Sequence, residues 1–228
     1  MQKPDCVQGP TVRAAARAKH IGMLKSLDDL AKRLFDLVIG SCLLVLFSPV
    51  LVVVAAALFL HSGPSVLFTQ LRIGRGGVPF TCLKFRTMEA GGELALSALL
   101  VTNSAASSDW MARQKITNDP RVTSLGRVLR RWGLDELPQL FNVIRGEMSL
   151  VGPRPIVAEE LARYGAFAPS YQSVRPGITG LWQVSRDYAS NYDARVSMDV
   201  AYARNRSLML DVAILVKTLP SLLKTPLM

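Results

Sequence analysis

The chain has 228 residues, carries 27 Lys+Arg against 17 Asp+Glu for a formal net charge of +10, and has a mean hydropathy of +0.25. That length suits one domain with at most an added membrane element, and the basic balance calls for an anionic partner: nucleic acid, acidic lipid or a nucleotide. Hydrophobicity turns the preference away from nucleic acid and toward lipid, and three scattered cysteines (Cys6, Cys42, Cys82) without metal-ligand spacing exclude a disulfide framework.

Residues 1 to 30 set Arg13, Arg17, Lys19 and Lys25 among alanines. An amphipathic surface helix and a terminal tail both fit, and the tail is favoured because nothing ties it down. Leu34 to Leu60 then form one strongly apolar stretch, LFDLVIGSCLLVLFSPVLVVVAAALFL. It can cross a bilayer core, for which about 20 residues suffice. Three features argue instead for a helix that enters, breaks at Ser48-Pro49 and leaves on the same side. The proline ring removes an i to i−4 hydrogen bond. Asp36 suits a polar interface better than lipid. Basic residues flank both ends, Lys25, Lys32 and Arg33 before and Arg72, Arg75, Lys84 and Arg86 after, and the positive-inside tendency puts both flanks on the cytoplasmic side. The Ser48 hydroxyl can serve a backbone group that Pro49 frees. A single crossing remains the alternative.

Beyond His61 the residues alternate as a β-hairpin, with strands at Val66–Thr69 and Phe80–Phe85 and GRGG in the connection. Lys84 and Arg86, two apart on a strand, share a face, which is either solvated or a binding surface. Residues 89 to 114 read as loop, short helix and loop. An Asp119-Pro120 turn follows, then a helix from about Thr123 carrying Arg127, Arg130 and Arg131. Arg121 is either a surface charge or a phosphate contact.

The stretch RRWGLDELPQLFNVIRGEMSLVGPRP, Arg130 to Pro155, concentrates the chemistry. Pro138 suits the first turn of a helix beginning near Leu134, Leu137, Leu140, Phe141 and Ile144 recur at helical spacing, and Gly146 stands as its C-terminal cap. Asp135 and Glu136 therefore sit at a helix N-terminus, where free N–H groups also hold phosphate. Such a pair is either a favourable charge in the first turn or a phosphate-handling dyad, and Arg130, Arg131, Arg145 and Arg154 supply planar phosphate donors. Adjacent helical residues point about 100° apart, so the two acids have different tasks. Downstream, IVAEELARYGAF reads as a helix with Glu159 and Glu160 on a solvated face. VRPGITGLWQV reads as a rigid turn holding Arg175, with Trp182 meeting either a base or lipid. The stretch from Met198 to the C-terminus reads as an amphipathic helix on the bilayer surface, with Asp199 as N-cap or functional acid.

The run LDELPQLFNVIRGEMSLVGPRP resembles the signature of the bacterial sugar transferases that start glycoconjugate assembly, the monotopic polyprenyl-phosphate phosphoglycosyl transferases. LFDLVIGSCLLVLFSPV, KFRTM, TNDPRVTSLGRVLR, VRPGITGLWQV and the pattern around Asp199, Tyr202 and Asp211 resemble the same family in the same order, from about Lys32 to Thr218. One position departs: the family commonly has a small hydroxyl residue where this chain has Gly133.

The basic segment at 1–30 lies outside the resemblance, which implies a helix-dominated α+β fold with a re-entrant membrane hairpin at 31–61 and a cytoplasmic catalytic domain with interfacial helices at 62–228. It implies a bacterial inner membrane location with the catalytic face in the cytoplasm. The substrates would be a UDP-sugar and polyprenyl phosphate, and the products polyprenyl diphosphate-sugar and UMP. Asp135 would be the nucleophile. Glu136, with Asp199, would hold Mg2+ or Mn2+, and Lys84, Arg86, Arg121, Arg154 and Arg175 would contact the nucleotide phosphates. A homo-oligomer is left open, and the sugar is not named by the residues. Two rivals remain: a non-catalytic membrane module binding anions through its basic surface, and an enzyme with a different phosphosugar acceptor.

Overall fold

The computed structural model describes residues 12–89, 91–104, 107–108, 119–185 and 192–224. Its longest element is α1, Val12–Ser62, a single helix of 51 residues. Residues 12–30, expected as part of a tail, are helical and continuous with the apolar segment, whereas residues 1–11 lie outside the described residues. Alanine, arginine and lysine are good helix formers, and extending a helix already formed avoids the cost of a new nucleus. The expected break at Ser48-Pro49 is not a loss of helix, because α1 continues through Pro49; re-entry would require a bend within α1 rather than an interruption. Pro49 brings no N–H to the carbonyl of Val45, and Ser48 Oγ donates to that same carbonyl at 2.8 Å. The hydroxyl stands in for the missing amide, as the pairing of serine with proline suggested.

The hairpin forms as expected and is longer on its first side: β1, Leu67–Ile73, pairs antiparallel with β2, Pro79–Phe85, from Leu67↔Phe85 to Ile73↔Pro79. Helix α2, Glu93–Thr102, is the short helix anticipated between loops, and residues 109–118 lie outside the described residues. Helix α3, Ser124–Arg131, starts at Thr123, whose side chain accepts from Gly126 N at 2.9 Å and so satisfies one donor of the first turn. A one-turn 3-10 helix at Leu134–Glu136 leads into α4, Gln139–Arg145, which ends at Gly146 with φ of 85°. Strand β3, Ser149–Val151, pairs parallel with β4, Gly177–Thr179.

Between them α5, Ala158–Leu161, passes into a 3-10 stretch interrupted at Gly165, so IVAEELARYGAF is not one helix; α6, Ala168–Gln172, follows. Helix α7, Leu181–Val184, precedes two closing helices, α8, Tyr192–Asn205, and α9, Leu208–Lys224. The C-terminal stretch is thus two helices, with Asp199 in the interior of the first and no longer eligible as its N-cap. Met209, Val212, Val216 and Leu219 on α9 are exposed, at helical spacing, while Asp211 and Ile214 are buried. That two-faced pattern is the one expected of an interfacial helix.

Three apolar clusters hold the parts together. Phe80 and Cys82 of β2 pack with Leu140 and Val143 of α4, Met148, β3, Tyr202 and Ile214, and Phe35, Ile39 and Leu43 of α1 join them. Ile73, Ile156, Tyr164, Tyr171, Val196 and Val200 form the second. The third sets Val54 and Leu58 of α1 against Phe85 and Leu129. Helix α1 therefore touches the same body on both sides of Pro49, while Val45, Leu46, Val52 and Val53 between those contacts remain exposed.

Asp36 is not at a polar surface but fully buried. Its Oδ1 accepts from Lys32 Nζ at 3.0 Å, Ser149 Oγ at 3.1 Å and Leu150 N at 3.1 Å, while Oδ2 has no protein partner. Lys32 Nζ also lies 2.8 Å from Asp211 Oδ2, and Tyr202 donates to Asp211 Oδ1 at 2.7 Å. Four elements, α1, β3, α8 and α9, are tied through this one network.

Candidate active site

The dyad is presented by a tight reversal between α3 and α4. Gly133 has φ of 64°, a left-handed conformation that side-chain-bearing residues rarely adopt. The backbone of Leu134–Glu136 then turns so that Asp135 and Glu136 are both half-buried. Opposite them stands β2. Lys84 Nζ lies 2.5 Å from Glu136 Oε1, and the two side chains keep 22% and 26% exposure. Burial pushes the Asp135 carboxyl above its ordinary range, the adjacent Glu136 charge adds to this, and Lys84 and Arg130 pull the other way. Arg130 is itself held by Thr87 Oγ1, to which its Nε donates at 2.8 Å.

What holds β2 and α4 in register is a residue that the sequence reading passed over. Asn142 Oδ1 accepts from Leu83 N at 3.0 Å, and its Nδ2 donates to Thr81 O at 2.7 Å and to Glu147 Oε2 at 2.6 Å. The amide copies the hydrogen-bonding edge of a neighbouring strand, so α4 is pinned to β2 one residue from Lys84. An amide on the inner face of an otherwise apolar helix was the available signal.

The other expected site residues are dispersed. Arg154, half-buried in the turn after β3, is close enough to Cys82 and to Asp199 for its charge to act on both. Arg86 is just beyond β2, and its Nη1 donates to Ser65 O at 3.4 Å. Arg121 is not a loose surface charge; it is paired, and its charge reaches Arg130 beside the dyad. Its Nε and Nη2 grip Asp119 at 2.9 Å and 2.6 Å; burial alone would raise the Asp119 carboxyl, but the Arg121 bonds hold it below its usual range. Arg175 donates from Nε to Gly146 O at 2.8 Å, which puts it at the C-terminal end of α4, opposite the dyad.

Asp199 is buried too, beside Arg195, and accepts from Tyr164 Oη at 2.7 Å. Burial pushes its carboxyl up to about 6, against the Tyr164 hydrogen bond and the charges of Arg195 and Arg154. Glu160, expected on a solvated face, lies 3.4 Å from Arg195 and 3.8 Å from Arg72. Trp182 has the Arg195 guanidinium 5.4 Å from its ring centroid, a cation–π contact within the protein.

Among the described residues no three His, Cys, Asp or Glu side chains gather as a ready-made metal cage. Mg2+ does not need one, since it is commonly held by one or two carboxylates together with substrate phosphates. Glu136, paired with Lys84, and Asp199, bonded to Tyr164, are each single carboxylates of that kind, Glu136 the more exposed of the two. The arrangement offers an acid in low-dielectric surroundings next to a second acid already paired with a cation, beneath arginine and lysine donors suited to phosphate.

The sequence model of the bacterial sugar transferases matches residues 27–225. The chain belongs to the bacterial sugar transferase family. It is 46% identical over 203 residues to the exopolysaccharide production protein ExoY of Rhizobium meliloti (strain 1021), covering 89% of this chain and 90% of the relative. Similarity extends to the undecaprenyl-phosphate galactose phosphotransferase of Salmonella typhimurium (strain LT2), at 45% over 187 residues, 82% of this chain and 39% of that protein. The UDP-glucose:undecaprenyl-phosphate glucose-1-phosphate transferase of Caulobacter vibrioides is 40% identical over 208 residues, covering 86% and 71%. This sugar transferase thus spans most of some relatives and about two fifths of others.

Proposed function

We propose that this chain transfers a phosphosugar from a UDP-sugar to polyprenyl phosphate, in two steps through Asp135. In the first, an Asp135 carboxylate oxygen attacks the sugar-bearing phosphorus; the phosphorus–oxygen bond to UMP breaks and UMP leaves with that electron pair. In the second, a phosphate oxygen of the polyprenyl phosphate attacks the same phosphorus, displaces Asp135 and gives polyprenyl diphosphate-sugar. The observation that carries the reading is the unequal treatment of two adjacent carboxylates: Lys84 pairs with Glu136, while burial raises the pKa of Asp135. Glu136 is the residue that would hold Mg2+, or Mn2+, and the bound cation supplies positive charge to the diphosphate. Lys84, Arg130 and Arg154 are the cations that would orient the phosphate oxygens. Relatives acting on undecaprenyl phosphate with galactose or UDP-glucose support the substrate pair.

The same reading puts the chain on the cytoplasmic face of a bacterial inner membrane, with α1 entering the bilayer, bending at Pro49 while remaining helical, and returning. The apolar window within Leu27–Ser62 is long enough to cross a membrane. Yet Asp36 and Leu58, separated by roughly 33 Å if the helix is straight, both pack on the one body, and a crossing helix would bring only one end to it. Exposed Val45, Leu46, Val52 and Val53 would be the deepest residues.

The test is intact-protein mass spectrometry of the full chain given UDP-galactose or UDP-glucose without a lipid acceptor. Asp135 should gain the mass of one phosphosugar as UMP appears, and undecaprenyl phosphate should discharge it. Product formation with no adduct would mean direct attack by the lipid phosphate; binding without UMP release would mean a non-catalytic module.

A further inference from the structure

The end of α4 remote from the dyad is gripped by the membrane helix. Arg33 of α1 donates from Nη1 to Val143 O at 2.7 Å and from Nη2 to Ile144 O at 2.8 Å, a two-pronged contact that takes two adjacent carbonyls at a helix C-terminus. Those carbonyls carry the negative end of the helix dipole and have few partners within α4 itself. The planar guanidinium fork takes both in one fixed geometry, whereas an ammonium is a compact charge on a flexible stem. Gly146 makes the space, since a Cβ there would come within 3.2 Å of Arg33 Nη2. One further turn along the same face of α1, Asp36 binds β3, and at Gly40 a Cβ would stand 3.3 Å from Val143 Cγ1, so the two helices are in backbone-close contact. From Ile144 back to Asp135 is roughly 14 Å along the helical path.

We infer that Arg33 is a positioning residue for the lipid half of the reaction: it sets the height of the Asp135 end of α4 relative to the membrane segment. The inference rests on the two-step transfer proposed above. The nucleotide half needs β2, α3, α4 and Arg154 in the turn after β3, and Asn142 and Arg130 tie the first three together through bonds that do not involve α1. The lipid half needs the aspartyl phosphorus at the level where a membrane-held phosphate arrives, and the Arg33 fork is the polar link from α4 to the helix that occupies the membrane. Freed from it, α1 stays on the body through Asp36 and the apolar clusters, while α4 loses the polar bonds that fix its height against the membrane helix.

The experiment uses the full chain in phosphatidylethanolamine–phosphatidylglycerol vesicles, comparing Arg33→Met and Arg33→Lys with the unmutated protein. Three rates are read: adduct formation from the UDP-sugar, discharge by undecaprenyl phosphate in the vesicle, and discharge by a water-soluble short-chain prenyl phosphate. Arg33→Met should slow the vesicle discharge roughly ten- to a hundred-fold, the penalty of a small misplacement of reacting groups, and leave the other two rates unchanged. Arg33→Lys, which keeps the charge but not the fork, should fall between. Equal slowing of all three rates would reduce Arg33 to a general support of the fold, and unchanged vesicle discharge would remove it from any role. Should the Met variant not fold, the ratio of vesicle to soluble discharge in Arg33→Lys decides in the same way. If the unmutated protein forms no adduct, the covalent route fails on its own account, and total turnover with the two acceptors still tests Arg33.

Discussion

The two ends of α4 carry clusters built from the same chemical parts and used in opposite ways. At its C-terminal end Lys32 bridges Asp36 and Asp211, Tyr202 caps Asp211, and Arg33 and Arg175 take the last carbonyls. Asp36 and Asp211 have no more than 1% exposure. At its N-terminal end Lys84 and Glu136 keep about a quarter of their surface, and Asp135 is held in surroundings that oppose its charge. A charge cluster alone therefore does not mark a reaction centre. The closed cluster spends its hydrogen bonds on other parts of the chain and fixes geometry; the open one retains donors for a ligand and an acid whose ionised form is disfavoured.

The sharpest way to separate the two clusters is to remove one carboxylate from each. Asp135→Asn keeps the shape and removes the carboxylate proposed to attack phosphorus, so UMP release should fall by roughly 10^4-fold, the scale seen when one member of a catalytic unit is lost. Thermal stability should not fall, because burial already disfavours the charge that is removed. Lys84→Met comes next. It should slow UMP release by about 10^2- to 10^3-fold, as loss of one preorganised donor does. It should also move the acid limb of the pH–rate profile upward, since Lys84 is one of the charges that keeps Asp135 ionised. The sign follows directly: with that cation gone, a higher pH is required to remove the Asp135 proton. A limb that stays in place would mean that another group sets it.

Asp36→Ala should show the reverse pattern. It leaves Lys32 facing Asp211 alone and strips the acceptor from Ser149 Oγ and Leu150 N, and breaking one partner of a buried ion pair costs roughly 3 to 5 kcal/mol. Chemical denaturation in detergent should record that loss, while adduct formation per folded molecule persists. An Asp36 variant that is stable yet unable to form the adduct would put Asp36 into the chemistry and dissolve the contrast between the clusters.

How much of this was legible beforehand follows from the range of each interaction. The hairpin, the start of α3 at Thr123 and the Gly146 cap depend on neighbours within a few residues, and all could be read; the dyad, expected in the first turn of the helix, stands instead in a separate 3-10 turn before Pro138, and α4 begins only at Gln139. Arg175 could not be placed, because its partner is a backbone carbonyl, Gly146 O, that belongs to another element and has no sequence signature. Arg121 was ambiguous for a different reason: its partner, Asp119, is two residues away, but only the turn's actual backbone brings the two together. Asn142 and Asp36 act across 59 and 113 residues of chain, distances at which a polar residue in an apolar run signals that a partner exists but not which one. The dyad's opposite number, Lys84, was reached through family resemblance rather than through spacing.

The smallest effect tests the membrane helix itself. If Ser48 Oγ replaces the amide that Pro49 lacks, then Ser48→Ala leaves Val45 O without its donor and should cost about 1 kcal/mol, the usual net worth of one hydrogen bond. Pro49→Ala restores an N–H at the right position for that carbonyl, so Ser48→Ala made in the Pro49→Ala background should cost close to nothing. The double-mutant cycle, read as unfolding free energies in detergent, isolates the coupling between the two residues. A Ser48→Ala penalty that is the same with and without Pro49 would show that the hydroxyl serves something other than the proline's missing bond, and α1 would need another reason to pass unbroken through Pro49.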